Sequence, residues 1–101
     1  MPRWSSTIFA CNDEVAFGVL RAAHDLGINT PADLSVVGFD DIDLAQEVHP
    51  ALTTVHVDKV LMGALAVRQL CDRAQSLSRP ALTTTLSAQL IIRQSVQRLS
   101  R

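Results

Sequence analysis

Apolar residues arrive along this chain in short bursts that stop at acidic or amide side chains. Thr7-Ile8-Phe9-Ala10-Cys11 runs into Asn12-Asp13, and Ser35-Val36-Val37-Gly38-Phe39 runs into Asp40-Asp41. Continuous runs of this length suit strands covered on both faces, as in a parallel sheet. Between them the spacing predicts a helix from about Glu14 to Leu26, with Asn12 or Asp13 as its cap and Glu14 near its positive end. Val15, Val19, Ala23 and Leu26 fall on one stripe of that helix, while Phe17 and Leu20 fall on a second face. A helix apolar on two sides has two neighbours: the sheet, and either a partner subunit or another helix of the same chain. Gly27 suits the helix C′ position, with Ile28 as the apolar contact that follows. Thr30-Pro31-Ala32-Asp33 reads as a short turn with Thr30 at the cap and Pro31 first inside it. Strand, helix and strand together make a βαβ unit with parallel strands and a right-handed crossover, so the fold class is α/β.

Downstream, Asp41 is placed to cap a short helical turn through Ile42, Leu44 and Ala45 that ends before Pro50. Leu52 to Val57 alternates and is β-branched, the pattern of a strand or extended crossover. Asp58 then caps the longest helix, about Lys59 to Ala74. Its stripe is Val60, Ala64, Val67, Cys71 and Ala74, widened by Leu61 and Leu65. Gly63 inside this helix costs about 1 kcal/mol of propensity and suggests close packing against another element. After a loop at Ser76 to Pro80, Leu82 to Leu86 and Leu90 to Ile92 read as strands. Met1 to Ser6 is an irregular lead-in, and Gln94 to Arg101 a frayed tail.

Composition narrows the function. The 101 residues allow one modest domain, 48% apolar, with few aromatics to fill its core. Net charge is -1 and the nine basic residues form no stripe, so the chain lacks the cationic face that nucleic acid requires. Arg93, Arg98 and Arg101 read as a solvated end. No apolar stretch approaches the roughly 20 residues of a membrane span, and no signal peptide is visible. Cys11 and Cys71 read as reduced, buried, small apolar residues of a cytoplasmic protein.

The candidate chemistry sits at the two strand ends. Open parallel sheets bind ligands at the carboxyl ends of their strands. Asn12 offers donor and acceptor together and Asp40 two acceptor oxygens, a pairing that suits the adjacent donors and acceptors of a sugar or nucleobase. The same two residues could equally serve only as caps, the commoner role. His24, His49 and His56 have no metal-binding spacing, so no metal is expected. No Ser or Cys stands in a nucleophile motif, no phosphate-cradling glycine loop is present, and neither catalysis nor a cofactor is expected.

Three segments in this order, Phe9-Ala10-Cys11-Asn12-Asp13-Glu14-Val15-Ala16-Phe17-Gly18, Pro31 to Asp41, and His49-Pro50-Ala51-Leu52-Thr53-Thr54-Val55, resemble the carboxyl-terminal part of LacI/GalR-type transcriptional repressors. The resemblance spans about Thr7 to Ser95. It implies a periplasmic-binding-protein type I fold, with residues 7–57 and 87–97 in the carboxyl-terminal lobe and residues 58–86 forming a crossover helix and strand of the other lobe, whose sheet Gly63 would approach. It implies an effector, usually a sugar or purine, contacted by Asn12 and Asp40, with Asp13 and Asp41 as caps and supports. It also implies a homodimer whose surface includes Phe17, Leu20, Val48 and His49. DNA would be reached only through a helix-turn-helix domain that these residues do not contain, so the chain is expected to be part of a longer regulator, its long helix left with an exposed stripe and the chain marginally stable or self-associating. Cys11 stands where the family commonly has a smaller residue such as Ala. A periplasmic sugar-binding protein of an ABC transporter shares the fold and is the alternative; the Leu52-Thr53-Thr54 crossover favours the repressor. An α/β enzyme is the third reading, with no nucleophile and base to support it.

Overall fold

The computed structural model describes residues 6–98; the amino-terminal lead-in up to residue 5 and the end of the tail, Arg101 included, lie outside them. The chain divides into two compact units, Met1–His56 with Gln89–Arg101, and Val57–Ala88.

The first unit is a small sheet carrying one helix. Strand β1 (Thr7–Phe9) pairs in parallel with β2 (Ser35–Val37), and β3 (Thr54–His56) pairs antiparallel with β4 (Gln89–Ile91). Single parallel bridges, Val37 with Thr53 and Asp40 with His56, join β2 to β3. The spatial order is therefore β1-β2-β3-β4, with the first three strands ending on one edge. The expected parallel βαβ unit is present. Helix α1 (Asp13–Asp25) connects β1 to β2 and packs against β2. It ends as its sequence dictates: Gly27 takes φ +72°, the Ile28 amide donates to the Ala23 carbonyl at 2.8 Å, and the Gly27 amide donates to His24 at 3.1 Å.

Alanines build the interface between helix and sheet. Ala16 and Ala23 are buried with Ala10, Leu34, Val36, Ala45 and Leu52, while Phe17, Val19, Leu20, Ile28 and Val48 pack around that core half-buried. Val15 and Leu26 are exposed instead of belonging to the buried stripe. Small side chains let the helix approach the sheet closely, and its buried face is the one through Asp13, Ala16 and Ala23. Strand β1 also differs from expectation. It is an edge strand exposed on its outer face, with Phe9 65% accessible, because its only strand neighbour among the described residues is β2.

Asp13 is the most consequential of the buried residues. Its side chain is 1% accessible; Oδ1 accepts from the Thr54 hydroxyl at 2.5 Å and Oδ2 from the Ile42 amide at 2.8 Å. Gly38 makes room for it: a Cβ there would collide with Asp13 Oδ1 and with Leu52. Asp41 does not cap the turn after β2; the short 3-10 helix Asp43–Gln46 is preceded by Ile42, whose amide Asp13 holds. Thr30 does not cap either. Its hydroxyl is buried without a hydrogen-bond partner, and Asp33 closes that turn by accepting from the Asn29 amide at 3.1 Å.

Of the tail expected to be frayed, residues 94–97 are docked; its last three residues lie outside the described ones. Ser95 is fully buried, donates to the Val36 carbonyl at 2.6 Å and accepts from the Thr53 amide at 2.8 Å; Gln94 and Gln97 bond to Ala51 and Ser35. A serine hydroxyl that donates and accepts at once can bridge two strand backbones, which hydropathy alone does not reveal.

The second unit is dominated by helix α2 (Lys59–Gln75), whose Asp58 cap accepts from the Leu61 amide at 2.9 Å. No residue of α2 is buried, Val60 is 85% accessible, and Gly63 faces open space. The apolar stripe is exposed, as expected of a helix without its sheet. Leu82 to Leu86 forms no strand, since none of the described strands pairs with it. Instead the Gln69–Thr84 side-chain bond ties the segment to α2, and Arg73 holds the preceding loop by donating to the Arg79 carbonyl at 2.5 Å. Cys11 and Cys71 are both free and exposed, not buried.

Two substitutions test the Asp13 tie against a glycine control. Asp13→Ala leaves the buried Thr54 hydroxyl and the part-buried Ile42 amide unpaired, at about 1–3 kcal/mol for the buried donor, and should lower the thermal midpoint by roughly 4–8 °C per kcal/mol. Gly38→Ala should destabilise by about 1–3 kcal/mol through overpacking against Asp13. Gly18→Ala, in a helix interior with open space around it, should stabilise by about 0.5–1 kcal/mol. Circular-dichroism melts of the three variants check the order; an unchanged midpoint in Gly38→Ala would refute the steric account.

Candidate functional site

The three parallel strands deliver polar side chains to one edge. Phe9 pairs with Val37, so Asn12 and Asp40 each stand three residues beyond the last rung of their strands, at matching depth. The Asp13 amide donates to the Phe39 carbonyl at 3.0 Å and fastens the two strand ends to each other. His56, bridged to Asp40, ends β3 at the same edge.

Asn12 is in extended conformation and caps α1: its Oδ1 accepts from the Val15 amide at 2.9 Å. The cap uses only the carbonyl oxygen, and the amide NH2 of Asn12 takes no part in it. Capping and ligand binding are therefore compatible in one side chain, the two roles that the sequence leaves open.

Asp40 and Asp41 both lie at positive φ, 118° and 57°. Two successive non-glycine residues there cost on the order of 1–3 kcal/mol each and persist only where surroundings hold them. The Asp40 amide donates to the Val55 carbonyl at 2.9 Å. The Asp41 carboxylate accepts from Arg93 Nη2 at 2.7 Å and lies 3.0 Å from His56 Nδ1. Burial pushes the Asp41 carboxyl up, but the hydrogen bonds and charges of Arg93 and His56 outweigh it and hold the group below the usual aspartate range. Arg93 is thus no part of a solvated end. It is 17% accessible and locked by further bonds, Nη1 to the Leu52 carbonyl at 3.0 Å and its backbone amide to the Thr53 hydroxyl at 2.8 Å.

Sequence reading singled out Asn12 and Asp40 but not the Asp41–Arg93–His56 network behind them. One signal was available. Thr54 and His56 share a face by strand alternation, and both touch the acidic strand ends, Thr54 through Asp13 and His56 through Asp41. Arg93 gave no local signal, because its partner is 52 positions away.

The four residues expected at a subunit surface, Phe17, Leu20, Val48 and His49, lie together, the first two on α1 and the others in the segment before Pro50. They line a cavity of about 530 Å³ with His24, Ile28 and Pro50. Among the described residues no group of His, Cys, Asp and Glu could hold a metal ion, and no helix is long and apolar enough to cross a membrane.

Comparison with known proteins adds the family. A periplasmic binding protein-like domain matches residues 1–96. The HTH-type transcriptional repressor PurR of Proteus mirabilis is 40% identical over 91 residues, which cover 90% of this chain and 27% of that protein. A LacI family transcriptional regulator from Enterococcus faecalis V583 with bound ribose superposes with a TM-score of 0.88 at 35% identity, covering 95% of this chain and 36% of that one. The Lac repressor dimer bound to operator and an anti-inducer superposes with a TM-score of 0.82 at 31% identity, covering 90% of this chain and 32% of that one. The chain thus spans little more than a quarter of the length of the curated relatives it matches. From the domain match, the chain belongs to the periplasmic binding protein-like domain family, and over this span it is similar to LacI-type transcriptional regulators.

Proposed function

We propose that this chain forms part of the effector-binding domain of a LacI-type transcriptional regulator, with Asn12 and Asp40 on one wall of the effector cleft. The observation that carries this reading is the matched placement of the two side chains past the parallel strands, where open α/β sheets bind ligands. The effector is a hydroxyl-rich small molecule, a sugar in the first instance: a carboxylate and an amide in proximity suit vicinal hydroxyls, and the Enterococcus faecalis relative holds ribose. Regulation follows if effector shifts a two-state equilibrium between arrangements of the whole domain. DNA would be contacted by a helix-turn-helix outside these residues, in a cytoplasmic protein. The regulators among the relatives favour this reading over the transporter alternative. The site is one of binding, not catalysis: the buried Ser95 hydroxyl bridges backbone groups, and Asp41 and Arg93 hold each other.

The cavity beside α1 suits a second copy of the chain. Phe17, Leu20 and Val48 are half-buried against their own core and present their remaining surface to it, and the Lac repressor relative is a dimer. An isologous contact buries the same patch on both subunits.

Two measurements on the full-length regulator check these assignments. Asn12→Asp keeps the capping oxygen and removes the amide donors, so effector affinity should fall about tenfold, the equivalent of roughly 1.4 kcal/mol, while the melting midpoint holds. Asp40→Ala should abolish effector response with operator binding intact. Effector that still releases DNA from Asp40→Ala at an unchanged midpoint would sink the assignment. For the dimer, Val48→Asp should shift sedimentation toward monomer; an unaltered profile would count against this surface.

A further inference from the structure

We infer that Arg93 is a positioning residue for the effector contact: by clamping Asp41 it fixes the left-handed Asp40–Asp41 corner and hence the presentation of the Asp40 carboxylate. The inference rests on the reading of Asp40 as a ligand contact, and the geometry that carries it does not.

The corner is held at its two ends through backbone amides: Asp40 N–H donates to the Val55 carbonyl at 2.9 Å and Ile42 N–H to the Asp13 carboxylate at 2.8 Å. Its middle has only a long backbone contact, the Asp41 amide to the Thr54 hydroxyl at 3.4 Å. The Asp41 side chain adds a restraint at this middle position through its bonds to Arg93 and His56. Of its two partners, His56 is 47% accessible and Arg93 17%. Arg93 is also the pre-oriented one, because one guanidinium nitrogen is fixed on the Leu52 carbonyl while the other meets Asp41. A planar fork can hold two acceptors at a fixed angle, and an ammonium cannot reproduce that geometry. The ionisable groups around the corner are His56 on β3, Arg93 beyond β4, Asp13 on α1 and Asp40 itself. Protonating Asp41 removes the acceptor charge that Arg93 grips. Its folded-state pKa lies below the ordinary aspartate value, so the clamp is complete above that value and is lost as pH falls through the lowered one.

The test reads the backbone without any ligand. In the 101-residue chain, three-bond amide–Hα couplings and residual dipolar couplings at Asp40 and Asp41 are measured for wild type, R93K, R93Q and D41N. Wild type should report positive φ at both residues. R93Q and D41N should lose those values, with the amides of Ala16, Ala23 and Val36 unmoved, and R93K should recover them only in part. Acid should release the wild-type corner as Asp41 titrates. Wild-type couplings at Asp40 in R93Q, with a lowered melting midpoint alone, would mean that Arg93 is merely structural and would overturn the inference. Should R93Q fail to fold, R93K decides: full wild-type couplings there overturn it, and altered ones with α1 intact support it. In the full-length regulator, with D-ribose as the probe, R93Q should weaken binding at least tenfold. Ribose bound equally by wild type and D40A would sink the ligand reading of Asp40, and no ribose binding by wild type would sink ribose as effector. In both cases the couplings still decide the role of Arg93.

Discussion

The buried Asp13 carboxylate is the constraint on which the rest of the site depends. Its backbone amide holds the Phe39 carbonyl and its side chain holds the Ile42 amide, so one residue brackets the Asp40–Asp41 loop. The second side-chain oxygen reaches Thr54 on β3. Three strand ends and the first turn of α1 are thereby referred to a single group. A buried carboxylate is costly unless its hydrogen bonds are made; here they are made by groups from two different segments, and the cost of losing either is what keeps them in register. Gly38 belongs to the same constraint, since any Cβ would occupy the volume of the Asp13 oxygen. Asn12, the residue before Asp13, and Asp40, within the bracketed loop, inherit their placement from it.

The parallel βαβ unit, a cap at Asn12 or Asp13, the Asp58 cap and the Gly27 helix end were legible in the sequence, because each announces itself in a short local pattern. What was not legible depends on distant partners. Asp41 looked like a cap, but its carboxylate is engaged by Arg93 and His56, with the Arg93 guanidinium already fixed on the Leu52 carbonyl. Ser95 looked like part of a polar tail; its partners Val36 and Thr53 are 59 and 42 positions away. The α1 stripe was misplaced for a different reason. Hydropathy weights Val15 and Leu26 above Ala16, whereas close helix-to-sheet packing favours the smallest side chain. Leu82 to Leu86 has the composition of a strand, yet a strand exists only with a neighbour to pair with, and composition carries no information about neighbours.

The two units differ in how their apolar residues are used. In the first, alanine, leucine and valine close a core around β2. In the second, α2 caps and forms but buries none of its residues. A helix of this length owes most of its stability in a protein to packing of its apolar face, so the second unit contributes little stability of its own. Val60, Met62, Val67 and Leu70 are all exposed, and uncovered apolar surface of this extent favours association.

A wall made of capping residues has a physical advantage for a ligand site. Asn12 is fixed through the oxygen it lends to α1, so binding does not have to immobilise a free side chain, a cost of about 0.5–1.5 kcal/mol for a rotamer-rich group. The corner at Asp40 and Asp41 achieves the same end through strain opposed by hydrogen bonds. Strain is tolerable there because the restraints, Asp13 on one side and Arg93 on the other, come from elements that the fold already needs: Asp13 ties the first turn of α1 to β3 and to the loop after β2, and the segment after β4 is docked through Arg93 and Ser95. The residues that stabilise this small sheet are therefore also the residues that aim its polar edge, and weakening the first function should show itself in the second.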